Sequence, residues 1–366
     1  MIRRFYVHNF RCLDNFSLNL AGLDSALLIG KNGSGKSTVG RALEVLQQVA
    51  RGVNRVGKLV SESDFSWGRT DSPMRFELEV ELEARVYHYV LALELPPGFN
   101  ELRIYEEKLS AGDTPVFERN QAQVTLQRSR ADARFQVDWH LVALPIVQES
   151  SERDPLAIFK RWLSRMLILD PLPQLIQGES EGDTLMPDRN VVNFAAWFTG
   201  LINHSPAAYS RLEKFLRDVM PDLVDIKNPL VGKNRRNLTI QFRQEQQSLT
   251  LSLEALSSGE KCYLICALAI AANQAYGPLF CFWDEADSHL HLSEVGQFIL
   301  ALRRSFQESS QLLITSHNQE AIRDFTEDST LVLLRKSHLE PTQIRPLREF
   351  AVRGDLVSAL VGDRLS

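Results

Sequence analysis

Apolar residues recur at every second position in two neighbouring stretches of the first half of the chain. The first runs from Phe76 to Leu82, and the second runs from Tyr87 to Leu95 and ends at a Pro-Pro-Gly turn. Since neighbouring side chains of a strand point to opposite faces, a period of two predicts strands with one buried face. Shorter strand-like stretches continue to Val137. We therefore predict an antiparallel β layer over residues 61–140.

The middle of the chain has a helical period instead. Ser205-Pro206 is a typical helix start, and Pro221 ends the helix. The apolar residues between them that fall on one face are Leu212, Phe215, Leu216 and Val219. The more apolar stretch 192–202 has the same character. These signals predict a helical insertion over residues 185–230.

A hairpin and a loop complete this region. The stretches Asn237–Phe242 and Ser248–Leu253 predict a β-hairpin. Gly178–Asp183 contains three acidic residues and a serine, and this composition predicts a flexible surface loop.

Three short runs are apolar at most positions and do not alternate. They are Ala26–Ile29, Leu279–Trp283 and Gln311–Thr315. Runs of this length without alternation predict strands that are buried on both faces, as in a parallel sheet covered by helices. A helix-like segment follows the first run, and another precedes the second. The chain is therefore predicted to be an α/β protein, with its chemically active residues at the carboxyl ends of these strands.

The residues after the first run form a phosphate-binding loop. The segment Gly30–Thr38 matches G-x-x-x-x-G-K-[ST] between a strand and a helix. Its glycines let several N–H groups converge on phosphate oxygens, and the helix N-terminus adds partial positive charge. Lys36 supplies a catalytic cation for the β- and γ-phosphates, and Ser37 supplies a hydroxyl ligand for Mg²⁺. We predict that ATP binds to Asn32, Gly33, Ser34, Gly35, Lys36, Ser37 and Thr38.

Two carboxylates follow the second run. Asp284 and Glu285 end that buried stretch, where adjacent residues face different sides. Asp284 is predicted to hold Mg²⁺ through water, and Glu285 is predicted to polarise the attacking water. An acidic pair alone is a moderate signal, but together with a phosphate loop it indicates nucleotide hydrolysis.

Two further motifs flank the acidic pair. Leu256-Ser257-Ser258-Gly259-Glu260-Lys261 precedes an apolar helix-like run, and it presents hydroxyl and N–H groups at a helix start. This pattern fits either an anion site or an ordinary helix N-cap. His317 closes the third apolar run. In this context we predict that His317 is a catalytic residue that senses the γ-phosphate.

Composition indicates a soluble, intracellular protein. Hydrophobic residues make up 44% of the 366 residues, yet no apolar run approaches the roughly 18–20 residues of a membrane span. The first residues lack the apolar core of a signal peptide, so we expect a cytoplasmic protein with no membrane partner. The four cysteines form no CxxC pair, and neither a disulfide framework nor a zinc site is expected.

Basic residues cluster at two places, although the net charge is −5. A solvated face is predicted for the first cluster, which contains Arg119, Arg128, Arg130 and Arg134. For the second cluster there are two alternatives: a solvated face, or a surface that binds the phosphates of DNA. It contains Lys227, Lys233, Arg235, Arg236 and Arg243. Within it, residues 233–236 are predicted to form a compact loop.

The order of these motifs resembles that of ABC-type ATPases, and within them the SMC/RecF/RecN and OLD-like branch. The segment His8–Leu13 is similar to the N-F-R element of that branch, and Asp284–His291 is similar to its D-E-x-E-x-x-L-H stretch. The resemblance implies that Arg11 contacts the nucleotide. It also implies that Asp287, which replaces the usual Glu, contributes to the nucleotide site. Gln148 stands about where the branch has its metal-binding glutamine, with a plain surface glutamine as the alternative.

A mechanism built from two chains is also implied by the resemblance. Two heads dock head-to-tail as a homodimer, and Ser257 and Gly259 of one chain touch the γ-phosphate that Lys36 of the other chain binds. The expected fold is an ABC-type P-loop ATPase head over residues 1–366, with the β layer and the helical insertion inside it. The heptads of an SMC coiled coil are absent, and we expect no Toprim domain.

Three functions are compatible with these motifs. The first is an ATPase that hydrolyses ATP with Mg²⁺ and gates a partner effector, a nuclease or toxin, in bacterial anti-phage defence. The second is a RecF-like DNA-repair ATPase that clamps DNA. The third is a nucleotide-dependent scaffold with slow turnover that holds a toxin inactive, and the complete Asp284-Glu285 pair disfavours it.

Overall fold

The computed structural model describes residues 1–127 and 132–350, so that Arg128 and Arg130 of the first basic cluster lie outside the described residues. The strands are β1 (Ile2–His8), β2 (Phe16–Asn19), β3 (Ser25–Ile29), β4 (Met74–Leu82), β5 (Arg85–Glu94), β6 (Arg103–Ala111), β7 (Thr114–Asn120), β8 (Gln123–Leu126), β9 (Ala133–Gln136), β10 (Leu167–Leu169), β11 (Glu179–Glu181), β12 (Leu223–Lys227), β13 (Arg235–Asn237), β14 (Thr239–Gln244), β15 (Gln247–Ser252), β16 (Phe280–Trp283), β17 (Gln311–Thr315), β18 (Thr330–Leu334) and β19 (Gln343–Pro346). The α-helices are α1 (Lys36–Ala50), α2 (Val56–Leu59), α3 (Pro155–Ser164), α4 (Phe194–His204), α5 (Ala207–Val219), α6 (Ser258–Tyr276), α7 (Leu292–Ser305) and α8 (Gln319–Arg323).

The chain folds into two compact units. The first comprises Met1–Met166 and the described residues from Glu327 onward, and the second comprises Leu167–Thr326. Each unit combines strands with helices. Across the described ranges, every helix falls short of the length and apolar content that crossing a membrane requires.

An antiparallel sheet forms the β layer of the first unit. Its strand order is β2-β1-β4-β5-β6-β7-β8-β9, and neighbouring strands pair antiparallel. In β4 the side chains of Phe76, Leu78 and Val80 are buried while those between them are at least partly exposed, as the alternation predicts. Strands β1 and β2 extend the layer beyond the predicted range. The pairing of β1 with β4 joins residues far apart along the chain, and no local pattern indicates it.

A buried ion pair corrects our prediction for Arg119 of the first basic cluster, whereas Arg134 is exposed as predicted. Arg119 is 4% exposed, and its guanidinium lies 3.8 Å from the carboxylate of Glu107, which is fully buried. Glu107 accepts hydrogen bonds from the N–H groups of Ala143 and Leu144 at 2.7 and 2.8 Å. Burial raises the pKa of Glu107 and lowers the pKa of Arg119. Arg119 also donates to the carbonyl oxygens of Gln121, Val137, Asp138 and Leu141, so it is a core residue and not part of a solvated face.

The phosphate loop of the first unit links β3 to α1. Strand β3 pairs in parallel with β18, which pairs antiparallel with β19. All of β3 except its first residue is buried, as predicted for the first apolar run. Helix α1 buries Val39, Leu43 and Leu46, and the Gln47 side chain donates to the carbonyl oxygen of Met166. This packing fixes the helix whose first turn carries the end of the phosphate loop.

Three parallel strands form the centre of the second unit. Strand β16 pairs with β10 on one side and with β17 on the other. Every residue of these strands is buried, which confirms the strands predicted from the second and third apolar runs. Because parallel strands end at one edge, Asp170, Asp284 and Ser316 follow neighbouring strands there.

The second unit also contains the predicted helices and hairpin. Helices α4 and α5 lie in the predicted insertion, and α5 ends at Val219, just before Pro221. Its N-cap position is Pro206, one residue later than a Ser205 cap implies. Strands β14 and β15 form the hairpin, and β12 pairs with β14 to make a three-stranded sheet.

The acidic segment Gly178–Asp183 is a loop only at its ends, contrary to our prediction. It contains β11, which pairs antiparallel with β13. The Arg235 guanidinium of β13 bonds the Glu181 carboxylate of β11 at 2.7 Å. The predicted basic loop is therefore partly a strand. Opposite charges on facing strands favour this pairing, which joins segments too distant along the chain for a local pattern to indicate.

Candidate functional site

The Lys36 ammonium lies over the phosphate loop of the first unit. Its Nζ donates to the carbonyl oxygens of Gly30 and Lys31 at 2.8 and 3.4 Å. The residue is buried, which is unusual for lysine unless its charge has partners. The positive charge is held at the first turn of α1, where the helix N-terminus adds its own partial positive charge. This arrangement attracts an anion.

Gly35 and Ser34 shape the inner surface of the loop. Gly35 has a left-handed φ of 104°, and a Cβ there would lie 2.8 Å from the Thr342 hydroxyl and 2.9 Å from the Cys12 sulfur. Ser34 is buried, and its hydroxyl has no hydrogen-bond partner within the described part of the chain. The first turn of α1 contains no acidic residue. The Ser34 hydroxyl can donate to a phosphate oxygen, and no carboxylate in the first turn of α1 would repel the negative charge of a triphosphate.

The other residues of the loop are accessible. Asn32, Gly33 and Ser37 are exposed, while Thr38 is half-buried and accepts a contact of 3.6 Å from the Cys12 thiol. The Ser37 hydroxyl can therefore reach a ligand at the start of α1.

The predicted magnesium ligands are all oxygen donors. Ser37 offers a hydroxyl, Asp284 offers a carboxylate at the end of β16, and Gln148 offers an exposed amide. Mg²⁺ prefers hard oxygen ligands, so this donor set fits the metal. Ser37 and Gln148 belong to the first unit, and Asp284 belongs to the second.

Arg11 is anchored by Asp64. Its Nε bonds the Asp64 carboxylate at 2.8 Å, and its backbone, with a left-handed φ of 53°, donates to the Asp64 carbonyl. Asn9 and Phe10 of the same element are buried, the latter with its ring 5.3 Å from that of Phe76. The Arg11 side chain is 42% exposed and lines a cleft of about 300 Å³. The buried neighbours hold the backbone, and the guanidinium stays accessible.

Gln148 is exposed, and both of its neighbours are held in place. The Lys160 ammonium donates to the Val147 carbonyl at 3.3 Å and pairs with the Glu149 carboxylate at 2.6 Å. The segment before it, residues 137–144, is bound to the β layer by the buried ion pair described above.

Two partners orient the buried carboxylate of Asp284. The Thr315 hydroxyl donates to its Oδ1 at 2.7 Å, and the Arg189 Nη2 lies 3.7 Å from its Oδ2. Arg189 also bonds Asp170 at 3.1 Å, so one guanidinium joins the carboxylates that follow two neighbouring strands. Thr315 in turn accepts a hydrogen bond from the Glu285 N–H at 2.7 Å. Sequence reasoning missed Arg189, because the segment around it matches no motif.

Glu285 begins a tight turn after β16. Its φ of 47° is left-handed, which is uncommon for a residue with a side chain. The side chain is exposed, and its carboxylate accepts a hydrogen bond from the Ser288 hydroxyl at 3.0 Å. Backbone of this kind occurs often at functional sites, and here it carries the carboxylate out of the core.

Asp287 and His317 meet at the same strand edge. Burial raises the pKa of Asp287, while a hydrogen bond with Ser316 and the nearby His317 oppose the rise. The neighbouring Glu285 raises the pKa further. The structure therefore brings the acidic pair, Asp287 and His317 together, since the carboxyl ends of neighbouring parallel strands share one edge. Their chemical roles stay predictions.

Ser257 is the N-cap of α6. Its hydroxyl accepts a hydrogen bond from the Glu260 N–H at 3.3 Å, and the Glu260 carboxylate accepts one from the Ser257 N–H at 2.7 Å. This is a capping box, so the N-cap alternative is observed, and the role at an anion stays a prediction. A Cβ on Gly259 would lie 3.1 Å from the His289 carbonyl oxygen. The helix start thus packs against the loop that follows the acidic pair.

The strands, the helices and the phosphate loop together define an α/β fold of the P-loop ATPase type. Residues 25–323 match the family described as "AAA domain, putative AbiEii toxin, Type IV TA system". The match covers most of the chain, and the chain belongs to this family.

Two solved structures are similar along nearly their whole length. One is an SMC head bound to the C-winged helix domain of ScpA, with a TM-score of 0.55, 13% identity, and coverage of 95% of this chain and 99% of that one. The other is a Smc head domain with an extended coiled coil bound to the C-terminal domain of ScpA, derived from Pyrococcus furiosus. Its TM-score is 0.50 at 13% identity, with coverage of 95% of this chain and 97% of that one. At such identity the likeness shows the fold alone.

The chromosome partition protein Smc of Chlorobaculum tepidum is similar in sequence over a short segment. It is 35% identical over 72 residues, which are 20% of this chain and 6% of that protein. The matched segment therefore spans only a small fraction of that relative.

Proposed function

We propose that this protein hydrolyses ATP to ADP and phosphate with Mg²⁺. The observation that carries the proposal is the anion cradle of the phosphate loop, formed by Lys36, the buried hydroxyl of Ser34 and the left-handed Gly35. Membership of an AAA-domain family supports it. The loop N–H groups bind the phosphates, and Lys36 moves from the loop carbonyls to the β- and γ-phosphates.

The remaining predicted residues have distinct roles in this scheme. Ser37 and Asp284 would hold Mg²⁺, with Gln148 as a further ligand, and the metal would offset the charge of the phosphates. Because Arg189 holds the second oxygen of Asp284, this carboxylate presents one orientation. Arg11 would contact the nucleotide.

The hydrolytic step depends on the strand edge of the second unit. Glu285 accepts a proton from the attacking water, since its carboxylate is exposed and lies outside the core. His317 donates a hydrogen bond to the γ-phosphate, and Asp287 supports the loop between them.

We further propose that two copies dock head-to-tail and share their sites. The exposed Ser257 and the start of α6 would bind the γ-phosphate held by Lys36 of the other copy. Positive potential from both sides then stabilises the transition state, so an isolated copy hydrolyses ATP poorly.

Mixing two inactive variants tests the shared sites. Pure Lys36→Ala and pure Ser257→Arg should each be inactive. An equal mixture should recover about a quarter of the parent phosphate release, because about half of the dimers are mixed and each retains one intact site. The loss of the Ser257 cap costs about 1 kcal/mol, so thermal unfolding must first show that each variant is folded. Inactivity of mixtures that contain proven mixed dimers would exclude sites completed by the partner chain.

For the biological role, we propose a cytoplasmic ATPase that gates a partner nuclease or toxin in bacterial defence. The description of the family, which names a toxin of a type IV system, supports this role over DNA repair. The alternative to an active ATPase is the scaffold that hydrolyses ATP slowly and holds a toxin inactive. Steady phosphate release by the parent protein would exclude that scaffold, and the complete Asp284-Glu285 pair favours turnover.

DNA clamping is the second candidate, and it depends on the basic cluster before α6. Lys233 is exposed, but Arg235 is paired with Glu181, and Arg236 donates to the Asn228 carbonyl at 3.0 Å. Arg235 and Arg236 thus already have partners within the protein, and this makes DNA binding by the cluster less favourable.

Changing Lys233, Arg235 and Arg236 to alanine tests DNA binding. If the cluster grips DNA, the triple variant binds duplex DNA more weakly, and the log–log salt slope falls by up to roughly 0.9 per lost phosphate contact. ATP turnover without DNA should stay at the parent level. The control is Arg211→Ala with Lys214→Ala, two exposed cations of α5 in the same unit. If the parent protein binds no DNA at low salt, the DNA-clamping function is excluded. The basic cluster would then be tested as a binding surface for a partner protein, by comparing how much partner co-purifies with the parent and with the triple variant.

A further inference from the structure

The loop between β18 and β19, residues 335–342, lies against the phosphate loop within the first unit. The Thr342 hydroxyl donates to the Ser34 carbonyl oxygen at 2.7 Å, and the Thr342 N–H donates to the Cys12 carbonyl at 2.9 Å. Thr342 is 3% exposed. A buried hydrogen bond to a loop carbonyl fixes the orientation of the peptide that contains this carbonyl.

The peptide held in this way joins Ser34 to Gly35. In a trans peptide the C=O and N–H groups point in opposite directions. Because Thr342 holds the carbonyl on one side, the Gly35 N–H points to the other side. Gly35 directly precedes α1, where the backbone donors of the loop converge. Thr342 therefore sets the direction of a phosphate-binding N–H group.

Arg335 holds the preceding carbonyl of the phosphate loop. Its Nη1 donates to the Gly33 carbonyl oxygen at 3.2 Å, while Nη2 and Nε donate to the carbonyls of His338 and Glu340 at 2.8 and 3.0 Å. The Trp67 Nε1 donates to the same His338 carbonyl at 2.9 Å. The Arg335 guanidinium thus connects the phosphate loop with the loop of residues 335–342, and Trp67 also bonds that second loop.

We propose that Thr342 and Arg335 are positioning residues for the nucleotide phosphates, a role that rests on the ATP binding proposed above. They act through the backbone of Gly33, Ser34 and Gly35. Thr342 lies 308 positions from Ser34 along the chain, outside every motif that signals nucleotide binding. When its carbonyl oxygens are fixed by hydrogen bonds, the phosphate loop presents its N–H groups to the phosphates without reorganising. This favours both nucleotide binding and stabilisation of the transition state.

A matched pair of substitutions at Thr342 tests the proposal. Thr342→Val keeps the shape and lacks the donor, whereas Thr342→Ser keeps the hydroxyl. We expect Thr342→Val to weaken ATP binding by about tenfold, because the buried Ser34 carbonyl loses its partner. Thr342→Ser should bind within about twofold of the parent. Calorimetric titration with ATP, and separately with tripolyphosphate, should give the same factor for both ligands, since the lost contact orients the phosphate cradle.

A second pair keeps the test decisive if Thr342→Val does not fold. Arg335→Gln should weaken ATP binding by about threefold. Arg345→Gln removes an exposed cation of β19 and should bind ATP as the parent does. Parent-like ATP binding by Thr342→Val and Arg335→Gln, or a loss for ATP without a loss for tripolyphosphate, would overturn the positioning role. A parent protein that binds no ATP would instead overturn the proposed function.

Discussion

We expect Lys36→Ala to abolish ATP binding, whereas Glu285→Gln should keep ATP bound and accumulate as a dimer. Lys36 carries the cation that now bonds the loop carbonyls, and its loss removes the charge that faces the phosphates. Glutamine keeps the shape of Glu285 but cannot accept a proton from water, so phosphate release should fall by roughly 10²–10⁴-fold. Size-exclusion chromatography with ATP and Mg²⁺, together with phosphate release, measures both effects.

Glu308→Gln is the matched control for Glu285→Gln. Glu308 is an exposed glutamate of the second unit and also has a left-handed backbone, with φ of 61°. It lies outside the predicted site, so its variant should turn over ATP at the parent rate. A Glu285→Gln protein that stays monomeric with ATP bound, or that hydrolyses ATP as fast as the parent, would contradict the two-chain mechanism.

Glu107→Ala should produce the largest loss of stability. The carboxylate is fully buried beside Arg119 and accepts hydrogen bonds from Ala143, Leu144 and the Tyr89 hydroxyl. Removing it leaves the buried Arg119 guanidinium without its counter-charge and the two buried N–H groups without their acceptor. Loss of one member of a buried ion pair costs about 3–5 kcal/mol. Urea denaturation, followed by circular dichroism, should show a correspondingly lower free energy of unfolding.

Glu118→Ala provides the control for this loss. Glu118 is an exposed glutamate on β7, the strand that also carries Arg119. Its removal should change the free energy of unfolding by no more than about 0.5 kcal/mol. If Glu107→Ala also stays within about 1 kcal/mol of the parent, the ion pair does not anchor the segment that leads to Gln148.

Much of the candidate site could be predicted because its signals are short. The phosphate loop, the acidic pair and His317 each follow a buried strand within a few residues, and the structure contains β3, β16 and β17 where the apolar runs indicate strands. The side chains that hold these groups could not be predicted in the same way. Arg189, Thr342 and Arg335 are polar residues outside the motifs, and only their positions in space connect them with the site.

The same distinction holds for the fold. Alternation along β4 indicates its buried face, and Pro221 marks the end of α5. From their charge, Arg119 was assigned to a solvated face and Gly178–Asp183 to a surface loop. Arg119 is buried instead, and the centre of the acidic segment forms strand β11, although its acidic side chains are exposed. Each finds an opposite charge on another strand, and charged residues form strands or become buried where such a partner lies opposite.

By itself, the sequence determined the class of the fold, the strand and helix types of the central elements and the positions of the phosphate loop and the acidic pair after their strands. These properties depend on side-chain periodicity and on loop composition over about ten residues or fewer. Only the tertiary structure decided that β1 and β2 extend the β layer, that β11 pairs with β13, and that Thr342 bonds Ser34. The reason is physical: such contacts join residues that are distant along the chain, and burial and partner choice select them only once the chain has folded.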